Sequence, residues 1–131
     1  MAKVAAPQQE AWGLMLELFF AQRGRMLAVA QEFGLAPQQA LAIKHLQPGE
    51  PLKLSDLATA LHCDNSNVTG IADRLEAAGL AERRPHPSDR RVKTLQLTER
   101  GELVRKLHGE RVGTAPPSLA SLSDEDAATL V

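Results

Sequence analysis

The stretch SDLATALHCDNSNVTGIADRLEAAGLAERRPHPSDRRVKTLQL, residues 55–97, changes its hydrophobic period partway along, and that change sets the architecture. In its first half the apolar residues fall at helical spacing: Leu57, Ala58 and Leu61, then Val68, Ile71, Ala72 and Leu75 at i, i+3, i+4 and i+7. Ser55 reads as the N-cap of the first helix and His62-Cys63-Asp64-Asn65 as the turn after it. A second helix runs from Ser66 to Ala78, where Gly79 stops it as the C′ residue. Beyond Gly79 the pattern alternates. Leu80 to Arg84 is short and extended, Pro85-His86-Pro87-Ser88-Asp89 is a turn, and Val92 to Leu97 reads as a strand with one buried face. The two segments form a β-hairpin.

Working outward, Gln9 to Phe33 carries a wide apolar stripe of Trp12, Met15, Leu16, Phe19, Phe20, Met26, Leu27, Ala30 and Phe33. Such a stripe serves core packing, a subunit interface, or each for different residues. Residues 1–8 read as a frayed arm. Gly34 breaks the helix, Pro37 opens another that reaches Leu46 with Leu41, Ile43 and Leu46 inside, and residues 47–51 form a loop. Thr98 caps a helix from Glu99 to about Val112, and Pro116-Pro117 is a linker. Ser123 and Asp126 resemble a capping box opening a last helix, which stops at Val131 after barely two turns and reads as cut short. The expected fold is mainly α with a small β-hairpin wing. It is a single domain of N-terminal helices (9–46), a winged helix-turn-helix (52–98), a connecting helix (99–114) and a terminal segment (115–131).

Charge distribution points to the partner. The formal net charge of the 131 residues is −1, yet Arg83, Arg84, Arg90, Arg91 and Lys93 stand against the single acid Asp89 within residues 83–93. A local excess of this kind on a hairpin suits a polyanion better than the net charge suggests. The helix from Ser66 presents Ser66, Thr69, Gly70 and Asp73 opposite its apolar face, with Asn67 and Arg74 on a flank and Asn65 and Ser55 nearby. Short hydroxyl and amide groups at a helix N-terminus suit entry into a major groove, and a mid-helix glycine suits close approach of the backbone to DNA. On the hairpin, one guanidinium can enter a minor groove while Asp89 accepts hydrogen bonds that hold it. Arg83, Arg84, Arg90 and Lys93 are left to hold phosphate.

These residues resemble the MarR family of transcription regulators. The likeness runs from Leu57-Ala58 to Arg74-Leu75-Glu76, through Gly79-Leu80-Ala81-Glu82-Arg83 and Asp89-Arg90-Arg91-Val92, to Leu97-Thr98-Glu99-Arg100-Gly101. It extends to the Trp12 helix and the Phe33-Gly34-Leu35 turn, and is weakest over residues 1–8 and after Thr114. The resemblance implies a homodimer on a pseudo-palindromic double-stranded DNA operator, with intertwined terminal helices, 9–46 pairing with 115–131 in dimerisation; Trp12, Leu16, Phe19 and Phe20 are its candidate dimer residues. It also implies a repressor released by a small aromatic or phenolic ligand lodged between the dimerisation and DNA-binding lobes. The helix from Ser66 would be the recognition helix and Arg91 the wing arginine, oriented by Asp89. Many members carry Arg where Gly70 stands, which leaves that major-groove contact missing or shifted to Arg74.

Other classes fit less well. His45, His62, His86 and His108 are dispersed, and no nucleophile elbow, HExxH or phosphate loop is present, so no enzyme chemistry is expected and no cofactor. Adjacent His62 and Cys63 leave open a metal- or redox-responsive regulator of the same fold, in which a distant His108 or Glu would complete the site. No pair has ligand spacing, and Cys63 reads as a small buried turn residue. A protein-interaction module that has lost DNA binding gives little reason for three cations at a hairpin tip. One cysteine, no apolar run of membrane-spanning length and no signal-peptide pattern place the chain in the cytoplasm, away from membranes.

Overall fold

The computed structural model describes residues 6–131. The chain runs α1 (Pro7–Ala21), α2 (Arg23–Glu32), α3 (Pro37–His45), β1 (Leu52–Lys53), α4 (Leu54–Ala60), α5 (Asn65–Ala77), β2 (Ala81–Pro85), β3 (Lys93–Leu97), α6 (Glu99–Gly113), α7 (Pro117–Ala120) and α8 (Asp124–Leu130). The sheet is antiparallel in the order β1-β3-β2. Its core lies where α3, α4 and α5 close on the sheet: Ile43, Leu46, Leu57, Ile71, Leu75 and Leu95 are fully buried. Buried Thr94 satisfies its hydroxyl by donating to the Arg84 carbonyl at 2.8 Å.

Several local expectations shift. The long first helix is two, divided at Gln22, whose amide is shared between the Leu18 and Phe19 carbonyls at 3.2 Å each. The expected frayed arm is helical from Pro7, which occupies the first turn where its missing N–H costs nothing; the rest of that arm, residues 1–5, lies outside the described residues. Leu41 is exposed, because small Ala40 and Ala42 carry the inner face of α3 with Ile43. Lys53, not Ser55, stands at the N-cap of α4, so Ser55 lies inside its first turn. The sheet gains β1, two residues long and too short to show a period, through the pairing of Leu52 with Leu95. Pro117 opens the one-turn α7 instead of serving as linker.

The turn that ends α5 also seats β2 and α6. Gly79 takes φ +73°, a left-handed conformation that costs a β-carbon-bearing residue strain. Leu80 then donates its amide to Leu75 O at 2.9 Å. Thr98, capping α6 through Gly101 N at 3.0 Å, donates its hydroxyl to Gly79 O at 2.7 Å and its amide to Leu80 O at 3.1 Å. Gly101 is buried against this corner: a β-carbon there would sit 1.9 Å from Leu80 O and 3.1 Å from Leu97 Cδ2. Neither α6 nor the corner can retreat without breaking the Thr98 bonds. Gly101→Ala is therefore expected to destabilise the fold by about 1–3 kcal/mol, as overpacking does. Urea unfolding with an unchanged midpoint would overturn that packing.

Candidate nucleic-acid interface

Asp64 prepares the leading end of α5. Its Oδ1 accepts from Asn67 N and from the Ser66 hydroxyl, each at 2.8 Å, and these hydrogen bonds hold the carboxyl below its usual range. His62, at φ +52°, makes the tight turn that lets the chain enter the helix there. Val68, Ile71, Ala72 and Leu75 are buried, so the opposite side of α5 faces out. Asn65, Ser66, Asn67, Thr69, Asp73 and Arg74 are exposed. Thr69 donates its hydroxyl to Asn65 O at 2.8 Å, which leaves its oxygen as an acceptor. A β-carbon at Gly70 would meet nothing within 4 Å, so no packing inside the chain requires a glycine there.

Beside α5 the chain forms an open cleft of about 290 Å³, lined by Leu54, Ser55, Asn65, Val68, Thr69, Val92 and Lys93. Ser55 at the start of α4, Asn65 and Thr69 on α5 and Lys93 at the base of the wing thus share one concave surface.

The wing tip has its own scaffold. His86 N donates to Val92 O at 2.8 Å and Val92 N to Asp89 O at 3.0 Å, closing the turn between β2 and β3. Asp89 Oδ1 accepts from Arg91 N at 3.0 Å and from Arg91 Nε at 3.3 Å. The Arg91 side chain is nonetheless 93% exposed, so Asp89 fixes it at the backbone amide and Nε and leaves the Nη groups free to project. Arg90 and Lys93 are exposed, and Arg84 pairs with Glu82 at 3.0 Å in solvent.

Arg83 behaves unlike the other wing cations. Its side chain lies across α5, with Nη2 on Asp73 Oδ1 at 2.6 Å and on Thr69 O at 3.1 Å, and Nη1 on Glu76 Oε1. Its amide also donates to Glu76 Oε2 at 3.3 Å. Burial works against the charge, but the Asp73 and Glu76 carboxylates outweigh it and hold the guanidinium proton more firmly than usual. The i, i+3 acids Asp73 and Glu76 are legible in sequence as one face of the helix; that an arginine of the next strand claims both is not.

The candidate dimer residues lie apart from this face. On α1, where no residue is buried, Trp12, Met15, Phe19 and Phe20 are exposed, Phe19 at 66%, and Leu16 is half-buried. The apolar stripe divides, for Ala30 is buried, beside Val29, and Phe33 packs on the core. Phe33 also meets the His108 ring edge-on at 5.7 Å, and burial pushes that imidazole's pKa down. Cys63 is half-buried against the core, and among the described residues no three His, Cys, Asp or Glu side chains gather closely enough to hold a metal. Among those residues, no helix is long and apolar enough to cross a membrane.

An exposed polar helix face, capped by the preceding turn and flanked by a cationic hairpin, defines a winged helix-turn-helix. Residues 35–93 match the model of the MarR family. Over 86 residues the chain is 35% identical to the HTH-type transcriptional repressor MdtR of Bacillus subtilis (strain 168), covering 66% of this chain and 56% of MdtR. Over 86 residues it is 40% identical to the transcriptional repressor MprA of Escherichia coli (strain K12), covering 65% of this chain and 48% of MprA. The crystal structure of the YusO protein from Bacillus subtilis matches with a TM-score of 0.76 at 28% identity, covering 96% of this chain and 92% of YusO. Over residues 35–93, which hold the helix-turn-helix and most of the wing, the chain is thus similar to the MarR family. Its aligned part spans about half the length of the curated relatives it matches.

The open space at Gly70 bears on stability. Gly70→Ala is expected to stabilise the fold by up to about 1 kcal/mol, the difference in helix propensity, and so to raise the thermal midpoint. A lower midpoint would mean that α5 needs the glycine for its own packing.

Proposed function

We propose that the protein is a cytoplasmic, sequence-specific DNA-binding transcriptional repressor that acts as a homodimer on a pseudo-palindromic operator. One observation carries this reading: the outward face of α5 and the projecting Arg91 stand on a single rigid unit with Ser55 and Lys93 between them. Asn65, Ser66, Asn67, Thr69 and Arg74 would face base edges and nearby phosphates in the major groove, with Gly70 allowing the backbone close approach. Arg91, rooted by Asp89, would enter the minor groove, and Arg84, Arg90 and Lys93 would neutralise phosphate. Asp73 belongs to this surface through its ion pair with Arg83, not as a partner for DNA. The names of MdtR and MprA as repressors support the sign of the regulation.

Dimerisation accounts for the apolar surface that the chain leaves uncovered: Trp12, Phe19 and Phe20 on α1, Leu103 and Leu107 on α6, and Leu130 on α8. A second copy covering these residues would place two recognition helices on successive major-groove faces. Release by a small aromatic or phenolic effector is the regulation that likeness to the family favours.

Arg91→Ala is expected to weaken operator binding by about 1–3 kcal/mol and to flatten its salt dependence. Fluorescence titrations at two salt concentrations with unchanged affinity would remove the wing from the interface. The double substitution Phe19→Asp/Phe20→Asp should yield monomers by light scattering, whereas a surviving dimer would move the interface elsewhere.

A further inference from the structure

Five basic residues lie between Arg83 and Lys93, and only one of them is folded away from solvent. On β2 the residues alternate, so Arg83 shares its face with buried Ala81 and pairs in register with Leu95 of the central strand. That face looks onto α5. The Arg83 side chain is 25% exposed, and both its Nη groups are engaged by that helix, through two carboxylates and one carbonyl. The acceptors span Thr69 to Glu76, two turns of α5 beginning in the half that offers its amides and hydroxyls to the outside. Asp73 and Glu76 are the only acids of α5. Left free, either would repel phosphate beside the very residues that must approach it.

We propose that Arg83 is a positioning residue, a strut that locks the recognition helix to the wing strand and neutralises the acids of α5, and that it makes no phosphate contact. The planar fork suits the task because it meets acceptors in three directions within one plane, which a lysine ammonium on a flexible stem does not. Helix and wing must engage adjacent grooves together, so binding depends on their relative orientation as much as on the groups each presents. The strut deepens the DNA-binding reading and rests on it.

Charge and orientation pull in opposite directions here. Removing two negative charges from a DNA-facing helix should, on charge alone, tighten binding. Loss of the strut should weaken it. The probe is a fluorescein-labelled duplex that the wild-type protein enriches from a random-sequence pool, titrated by anisotropy at several salt concentrations. Asp73→Asn/Glu76→Gln is expected to bind about three- to tenfold more weakly than wild type. Arg83→Gln should lose a similar factor with no decrease in the slope of log affinity against log salt, and Arg83→Lys should not restore it. Equal or tighter binding by Asp73→Asn/Glu76→Gln overturns the strut. So does a slope shallower in Arg83→Gln by about 0.9, the change expected if Arg83 neutralised one phosphate. Should Arg83→Gln melt below the assay temperature, Asp73→Asn carries the same sign from a carboxylate that is 64% exposed and tolerant of change. Failure of the DNA-binding reading looks different, because the wild-type protein would then enrich no duplex and show no salt-dependent binding.

Discussion

One backbone corner, Gly79-Leu80, is the constraint on which the rest of the chain depends. Helix α5 ends there, β2 starts there, and α6 is seated on it. Gly79 supplies the left-handed turn, Leu80 returns its amide to α5 and its carbonyl to Thr98, and Gly101 is the residue small enough to lie against that carbonyl. Three elements of different geometry therefore share two residues. Because the bonds are mostly backbone to backbone and close on buried Leu80 and Gly101, salt and side-chain fluctuation have little purchase on them.

From that corner the electrostatics divide. A chain of net charge −1 presents a cationic surface only by segregating its charges, and here segregation works by withdrawal as much as by clustering. Asp73 and Glu76 are taken up by Arg83, Asp64 is spent on the first turn of α5, and Asp89 is spent on Arg91. The acids nearest the candidate interface thus all have structural employment. What remains outward is amide, hydroxyl and cation.

The architecture is legible in the sequence wherever period and punctuation agree. Val68, Ile71, Ala72 and Leu75 fall on one helical face, Gly79 stops the helix, and Thr98 and Ser123 cap theirs, because each signal is local and each residue type has one cheap conformation there. Boundaries set by competition between caps are less legible: Asp64 displaces Ser66 as the start of α5, and Lys53 stands where Ser55 is expected. Strand β1 leaves no trace in the pattern because two residues cannot display a period, and its existence depends on the distant Leu95. Arg83 misleads for the same reason. In sequence it is one more cation in a basic run; only the register of β2 on β3 turns its side chain inward.

The same contrast between local and distant constraint governs stiffness. At its leading end α6 is held by the buried corner, whereas its far end is held by charged forks in solvent. Arg111 reaches Glu32 at 2.7 Å, and Arg25 reaches the carbonyls of Arg111 and Thr114 at 3.0 and 2.7 Å. Exposed ion pairs of this kind contribute little and weaken in salt. Helix α1 buries no residue at all. The winged segment and α3 therefore share one packed core, and α1 is attached to it by softer means. Its exposed Trp12, Met15, Phe19 and Phe20 gain little from the fold of a single copy, so the free energy that fixes them must come from whatever surface covers them.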